Sequence, residues 1–115
     1  MSAQSIALLS LTLGLAGTVA AGRFVKADGT QSIADAATFG VCRQGGVSGD
    51  NVTVDVMGTA IVEAGAAVAK GATLKADSSG RGITWVTSGA KIGLALEAAT
   101  AAGQMIEVLL IPNVA

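Results

Sequence analysis

The sequence predicts a single all-β domain, a small β-barrel or β-sandwich, and three observations lead to this prediction. The chain has 115 residues, of which 51% are hydrophobic and only 3% aromatic, so its length suits one domain with a core of small aliphatic side chains. Apolar and polar residues alternate in several short runs, as in strands with one buried face. Turn-forming residues separate these runs at a spacing typical of small barrels and sandwiches.

The first predicted strand lies near the N-terminus, where Leu9, Leu11 and Leu13 alternate with Ser and Thr. Such a period of two indicates a half-buried strand. The apolar run 6–21 also resembles a secretory signal, but no Lys or Arg precedes Arg23, so the positive segment of a signal is missing. The run is also too short and too polar for a membrane-spanning helix. We therefore interpret it as a strand or arm.

The other predicted strands follow the same alternation or are continuous apolar runs. Turns rich in Gly, Ser and Asp separate these strands. The Ala-rich stretch 97–102 is too short to form a stable helix without tertiary support. The predicted strands are 52–56, 83–87 (carrying Trp85), 91–96 and 105–111.

A weak internal duplication is visible when the chain is compared with itself. Residues 19–28 align without gaps on residues 68–77, with Gly, Lys, Ala and Asp in register. Further matches pair 39–41 with 92–94 and 54–56 with 106–108. Chance agreement in a chain rich in Ala and Gly is the alternative. If the match is real, residues 1–15 form an N-terminal strand or arm, and 16–62 and 63–115 are two pseudo-repeats.

The composition excludes much active-site chemistry. The chain has no His and one Cys, so it lacks the usual general base and cannot build a Cys-His catalytic pair or a Cys-based zinc site. Its eight carboxylates are scattered, without the dense oxygen-rich loop that Ca²⁺ needs. The net charge of −1 provides no cationic excess for nucleic acid. We expect no enzymatic activity, catalytic residue, cofactor, metal, small-molecule substrate, nucleic-acid partner or membrane partner.

Several segments resemble the capsid cement, or head-decoration, proteins of tailed bacteriophages. The resemblance covers nearly the whole chain and lies in the order of segments, not in catalytic residues. The segments are the Leu-rich strand, Ala-Ala-Gly-Arg-Phe-Val at 20–25, Phe-Gly-Val at 39–41, Val-Asp-Val-Met-Gly at 54–58, 62–71, 93–99 and Ile-Glu-Val-Leu-Leu at 106–110.

The resemblance implies a structural virion protein without a reaction or a cofactor. Such a protein is β-rich, commonly a homotrimer, made in the bacterial host cytoplasm, and bound through the major capsid protein to the outer capsid surface, where it stabilises the shell. Elementary chemistry agrees with a binding role. Apolar strands with little charge are prone to aggregation unless another chain covers them, and adding a strand to a neighbour's sheet needs only main-chain hydrogen bonds.

Six residues are interface candidates. The leucines of the N-terminal strand have an uncharged apolar face, and we expect this strand to pair with a neighbouring chain because it precedes the apparent duplication. Arg and large aromatic side chains are frequent at the energetic centres of interfaces, although core positions are the alternative for the aromatic ones. The candidates are Leu9, Leu11, Leu13, Arg23, Phe24 and Trp85.

Two other functions remain open from the sequence. A secreted or cell-surface adhesion module requires cleavage near Ala21. A biotinyl or lipoyl carrier domain requires a modified lysine at a hairpin tip, for which Lys70 and Lys75 are the available residues.

Overall fold

The computed structural model describes residues 5–111, and these form an all-β domain, which confirms the predicted fold class. The described residues contain eight strands and no helix. The strands are β1 (Ala7–Gly14), β2 (Phe24–Val25), β3 (Gly40–Cys42), β4 (Asn51–Glu63), β5 (Thr73–Ala76), β6 (Gly82–Thr84), β7 (Gly93–Ala95) and β8 (Met105–Leu110).

The strands form one antiparallel, barrel-like sheet that is nearly closed. Their order is β2-β3-β4-β8-β7-β5-β6, and β1 pairs with β4 beside this path. A backbone hydrogen bond from Phe24 N to Gly80 O joins β2 to the turn before β6, so it links the two ends of the path. The long strand β4 is the centre of the sheet, because it contacts β1, β3 and β8.

The N-terminal strand pairs with its own chain, which corrects the expectation that it pairs with a neighbour. Its partner is β4, with a register from Ala7 opposite Gly58 to Gly14 opposite Asn51. The register shifts on either side of Leu9, because β1 has an extra residue, Leu8, before it and β4 has an extra residue, Val56, next to its partner Met57. Gly58 has a φ of 98°, and a Cβ there would overlap the carbonyl oxygen of Ile6. Only glycine therefore allows the two backbones to approach this closely.

The other predicted strands are present but shorter or longer than expected. Run 52–56 belongs to the much longer β4, whereas 83–87 and 91–96 shorten to β6 and β7. The alternation in β4 predicted one buried and one wet face, and Val52 and Val54 are buried as expected. Asp55 is buried as well, at 1% exposed, because an arginine side chain pairs with it.

The hydrogen-bond pattern of the first half recurs in the second half. Phe24 lies opposite Val41 just as Thr73 lies opposite Leu94. The same relation holds for the bridges Val19–Gly46 and Val68–Ala99 and for the strand pairs Leu11–Val54 and Ala60–Val108.

Two details of this correspondence differ from the sequence comparison. Val54 corresponds to Val108, two residues beyond the match that the sequence suggested, because local similarity in short apolar strands does not fix register. The strand β1 pairs with the first half of β4 in the way that the second half of β4 pairs with β8. The division of the chain at residues 15 and 62 stays a prediction.

The core consists of two apolar clusters, one for each repeat. The first cluster contains Leu15, Val19, Val25, Cys42, Val52 and Val54, with Leu13, Phe39 and Val56 packed against it. The second cluster contains the corresponding Ala64, Val68, Leu74, Ala95, Ile106 and Val108 among its fourteen buried residues. Phe24 and Val41, which come from the first repeat, also lie in the second cluster. These two side chains therefore connect the halves.

Candidate interaction surface

The exposed part of β1 and the residues around it form an uncharged apolar surface, which we call the β1 surface. Leu8 is 77% exposed, and four further large apolar side chains here are exposed. No charged residue occurs in β1. The β1 surface consists of Ile6, Leu8, Leu9, Leu11 and Met57.

The leucine face of β1 continues the first cluster towards solvent. Leu13 lies opposite Val52 and Leu11 opposite Val54, so both leucines project to the side of the sheet that holds these buried valines. Leu13 packs against the cluster, but Leu11 is 40% exposed. The structure therefore keeps Leu9 and Leu11 available at the surface, and Leu13 mostly inside the fold.

A charged cluster lies on the other side of the same strands. Arg43 Nη2 is 2.7 Å from Asp55 Oδ1, and the Ser10 hydroxyl donates to the same oxygen at 2.8 Å. Asp55 is buried, whereas the Arg43 side chain is half exposed. The pair lines one end of a mostly apolar cleft of about 210 Å³ whose walls include Ile61 and Met105. Sequence reasoning missed this pair, because residues twelve positions apart give no local signal.

Phe24 is a core residue, which corrects its selection as an interface candidate. Its ring is fully buried in the second cluster, so it cannot contact another chain in this fold. The sequence alternative that the few aromatic rings fill the core applies here. A ring buries more apolar area than any other side chain in this Ala-rich chain could.

Arg23 is engaged inside the chain. Its guanidinium pairs with Glu63 at 3.1 Å and donates to the carbonyl oxygen of Ser79 at 2.9 Å. Arg81 also approaches Glu63, at 3.7 Å, and binds Asp77 at 3.1 Å. This network ties β2 to the end of β4 and to the 78–81 turn. Arg23 therefore already has a role in joining the two repeats.

Trp85 is half-buried and follows β6 directly. Its indole N–H donates to the carbonyl oxygen of Gly89 at 2.8 Å, and the Lys91 ammonium lies 4.4 Å from the ring centroid. The adjacent Val86 is exposed. The ring thus packs on its own 85–91 loop, and its role as an interface residue stays a prediction.

A second apolar surface, which the sequence candidates did not include, lies on β7 and β8. Leu94 and Leu109 lie directly opposite each other, and both belong to neither core cluster. Leu109 is exposed, and Leu94 and Leu96 are half-buried. We call these three residues the β7–β8 surface. The alternation of Leu94 and Leu96 with Ala95 was a detectable signal, but an alternating run alone does not reveal which face of the strand the core covers.

Of the two lysines named for a carrier domain, one forms an ion pair and the other is exposed in a turn. Lys75 forms an ion pair with Asp35 at 2.7 Å, which holds its amine in a structural contact. Lys70 is exposed in the turn before Gly71.

Within residues 5–111 there is no group of three or more His, Cys, Asp or Glu side chains that could hold a metal ion.

The thiol of Cys42 is buried in the first cluster. Its burial raises the pKa of this thiol from 9.0 to about 11, because the charged thiolate loses its hydration. Such a thiol is a poor nucleophile at neutral pH. The described part of the chain also contains no helix long and apolar enough to span a membrane.

Comparisons with known proteins identify a family for this chain and a solved structure with a similar fold. The family model described as "Phage cement protein" matches residues 3–110. The chain is also similar to a solved structure, the N base of the head fiber gp8.5 of bacteriophage phi29, with a TM-score of 0.73. The sequences are 19% identical, and the match covers 90% of this chain and 93% of that one. At this identity the likeness concerns the fold alone. No curated protein is significantly similar to the chain.

Proposed function

The chain belongs to the phage cement protein family, and from this premise we propose that it binds the outer surface of an assembled capsid and stabilises the shell. A structural, capsid-associated role follows from the family. The outer surface, the major capsid protein as direct partner and a homotrimeric state are part of the proposal. So are synthesis in the bacterial host cytoplasm and the absence of a catalysed reaction.

The observation that carries the proposal is the match of the phage cement family model to residues 3–110. The β1 surface supports the part of the proposal that concerns association with a second chain. Leu8, Leu9 and Leu11 expose large apolar side chains on a strand without charge, and exposed apolar patches of this kind mark interaction sites in soluble proteins. The outer edge of β1 pairs with no other strand in the described part of the chain. Its backbone groups are therefore available to a second chain.

Binding to an assembled shell would stabilise that shell by mass action. A ligand that binds the assembled state and not the free subunits shifts the equilibrium towards assembly. The three copies of a homotrimer also reinforce one another, because the first contact with the shell raises the effective concentration of the other two. Modest apolar contacts at each site are then sufficient.

The adhesion alternative conflicts with the position of the required cleavage. Cleavage near Ala21 would remove β1 and Leu15, and it would break the two hydrogen bonds between Val19 and Gly46. The first cluster would then lose part of its cover. A chain processed in this way would not keep the fold described above.

The test compares DNA-filled particles that carry the protein with particles that have been stripped of it. We expect stripped particles to release DNA at a lower temperature than complete particles. We expect them to regain their heat resistance when purified protein is added back. Density for the added protein on the outside of the particles, seen by electron microscopy, checks its location. Equal heat resistance with and without the protein would contradict a stabilising role, and density on the inner surface would contradict the location.

A further inference from the structure

The contact between the two repeats within the chain is not symmetric, because residues of the first repeat cover the core of the second. Phe24 and Val41 lie opposite each other in the first repeat, and both are buried in the second cluster. They belong to the face of the β2–β3 pair that points away from the first cluster, because their neighbours Val25 and Cys42 lie in the first cluster. One face of the first repeat therefore covers the core of the second.

The first cluster has no equivalent cover in the described chain. Ala60, which belongs to the second cluster, is 1% exposed, whereas Leu11 at the corresponding position is 40% exposed. Val62 is fully buried, whereas its counterpart Leu13 is only partly buried. The core of the first repeat is thus open at the place where the core of the second repeat is closed.

The face that would supply this cover is also open. The counterparts of Phe24 and Val41 are Thr73 and Leu94, and both are half-buried. Leu109 lies opposite Leu94 on the same face and is exposed. Each chain therefore has a first cluster that is partly exposed at Leu11. It also has an apolar face, with Leu94 and Leu109, that covers no cluster.

We propose that the β7–β8 surface of one copy covers the β1 surface of a second copy, repeating between chains the contact that joins the two repeats within a chain. The contact continues an interface that the fold already contains. It brings together two apolar surfaces, and no charged residue of β1 would have to lose its hydration.

This contact is head to tail, since different surfaces of the two copies meet. A contact of this kind closes into a ring when its rotation allows it and otherwise forms open filaments. The proposal rests on the proposed function, whose homotrimer would be the closed ring of three such contacts. Pairing of β1 with β1 of another copy, through their free edges, would instead join identical surfaces.

Disulfide trapping distinguishes these arrangements. We expect the L11C/L94C double variant, oxidised at pH 8, to form covalent dimers and trimers on a non-reducing denaturing gel. A mixture of L11C and L94C should form covalent dimers, and each single variant alone should stay monomeric. Cys42 does not interfere, because its pKa of about 11 keeps it a thiol. The matched control is L11C/T100C, since Thr100 is exposed and lies outside the β7–β8 surface.

Trapping of L11C alone would overturn the proposal in favour of pairing between β1 strands. A trimer in light scattering without any trapped L11C/L94C product would overturn the proposed surface and leave the trimer intact. A monomer both in solution and on particles would contradict the trimer as well. Capsid binding measured separately, by sedimentation with stripped particles, reports on the proposed function alone.

A second variant pair does not depend on disulfide chemistry. L94D should weaken self-association by roughly tenfold or more, because it places a charge in an apolar contact, and L11K should do the same. The double variant L11K/L94D should regain association, since the two charges would meet. Loss of association in both single variants without recovery in the double variant contradicts the contact. Circular dichroism spectra that match the wild type show that all three remain folded.

Discussion

The carboxylate of Asp55 is buried, with only 1% of the residue exposed. A charged group without water is costly unless it is paired and hydrogen-bonded. Here Arg43 binds both of its oxygens, and the hydroxyl groups of Ser10 and Ser5 donate to it as well. Ser10 belongs to β1, Ser5 precedes β1, Arg43 follows β3, and Asp55 itself belongs to β4. The carboxylate therefore helps to fix three strands relative to one another.

Removal of the arginine tests this role. We expect Arg43→Ala to lower the free energy of unfolding by about 3 kcal/mol, because it leaves Asp55 buried with only hydroxyl partners. Arg43→Lys keeps the positive charge but loses the planar, two-point contact, so its loss should be smaller. Urea denaturation measures both. An unchanged midpoint for Arg43→Ala would show that Asp55 does not need this partner.

The ion pair between Lys75 and Asp35 makes a pH-dependent contribution to stability. The hydrogen bond from the Lys75 ammonium lowers the pKa of Asp35 below its ordinary value of 3.8. A lowered folded-state pKa means that the contribution is present above pH 3.8 and is lost as the pH falls through the folded value. In Lys75→Met we expect the pKa of Asp35, measured by NMR titration, to rise towards 3.8.

The matched control for this titration is Lys91→Met. Lys91 is exposed and lies over the Trp85 ring instead of contacting Asp35. Its removal should leave the midpoint of Asp35 where it is in the wild type. Equal midpoints in the wild type and in Lys75→Met would contradict the assignment of the shift to the Lys75 ammonium.

At the scale of elements, the association of β1 with β4 depends on the irregular backbone near Gly58. The positive φ of this residue and its contact with the Ile6 backbone leave no room for a side chain. We expect Gly58→Ala to destabilise the protein by more than 1 kcal/mol, because it adds a steric overlap to the cost of the left-handed conformation. Thermal unfolding followed by circular dichroism gives the value.

Gly49 provides the control for this substitution. It has a φ of 94°, close to that of Gly58, but a Cβ there would meet nothing within 4 Å. Gly49→Ala therefore isolates the conformational cost without the overlap. Equal losses in the two variants would mean that β1 can move away from Gly58 without consequence.

The sequence predicts the elements better than their partners. Alternation identified the strands near Leu9 and Val54, because each residue's face follows from its position along the strand. Alternation did not identify the strand with which β1 pairs, since pairing partners are set by contacts distant in sequence. The repeat was visible at Gly22 and Gly71, where both halves need a turn with positive φ. Register in the apolar strands carries no such marker.

The interaction surface was only partly predictable for the same reason. Leu9 and Leu11 were identified because a strand of leucines without charge is conspicuous in any sequence. Phe24 was misplaced, since a ring in an interface and a ring in a core have the same sequence signal. The Leu94–Leu109 pair became visible only when β7 and β8 were seen side by side.

At the scale of the whole molecule, we expect the two repeats to unfold together. The strand β4 crosses both halves, and Phe24 connects the clusters, so neither half keeps its core when the other opens. The single Trp lies in the second half and the single Cys in the first. In guanidinium, Trp85 fluorescence and the reactivity of Cys42 with a thiol reagent should therefore change at the same midpoint. Separate midpoints would show two independent units.

The continuity of β4 also has a mechanical consequence. A load applied across the molecule, from one repeat to the other, passes along a strand of 13 residues and meets no flexible linker that could extend first. Antiparallel neighbours hold this strand along its whole length, with β1 and β3 beside its first half and β8 beside its second half. Stretching the molecule along β4 would require many hydrogen bonds to shear at once. A particle that swells under internal pressure would meet, in each bound copy, a stiff tie instead of an elastic one.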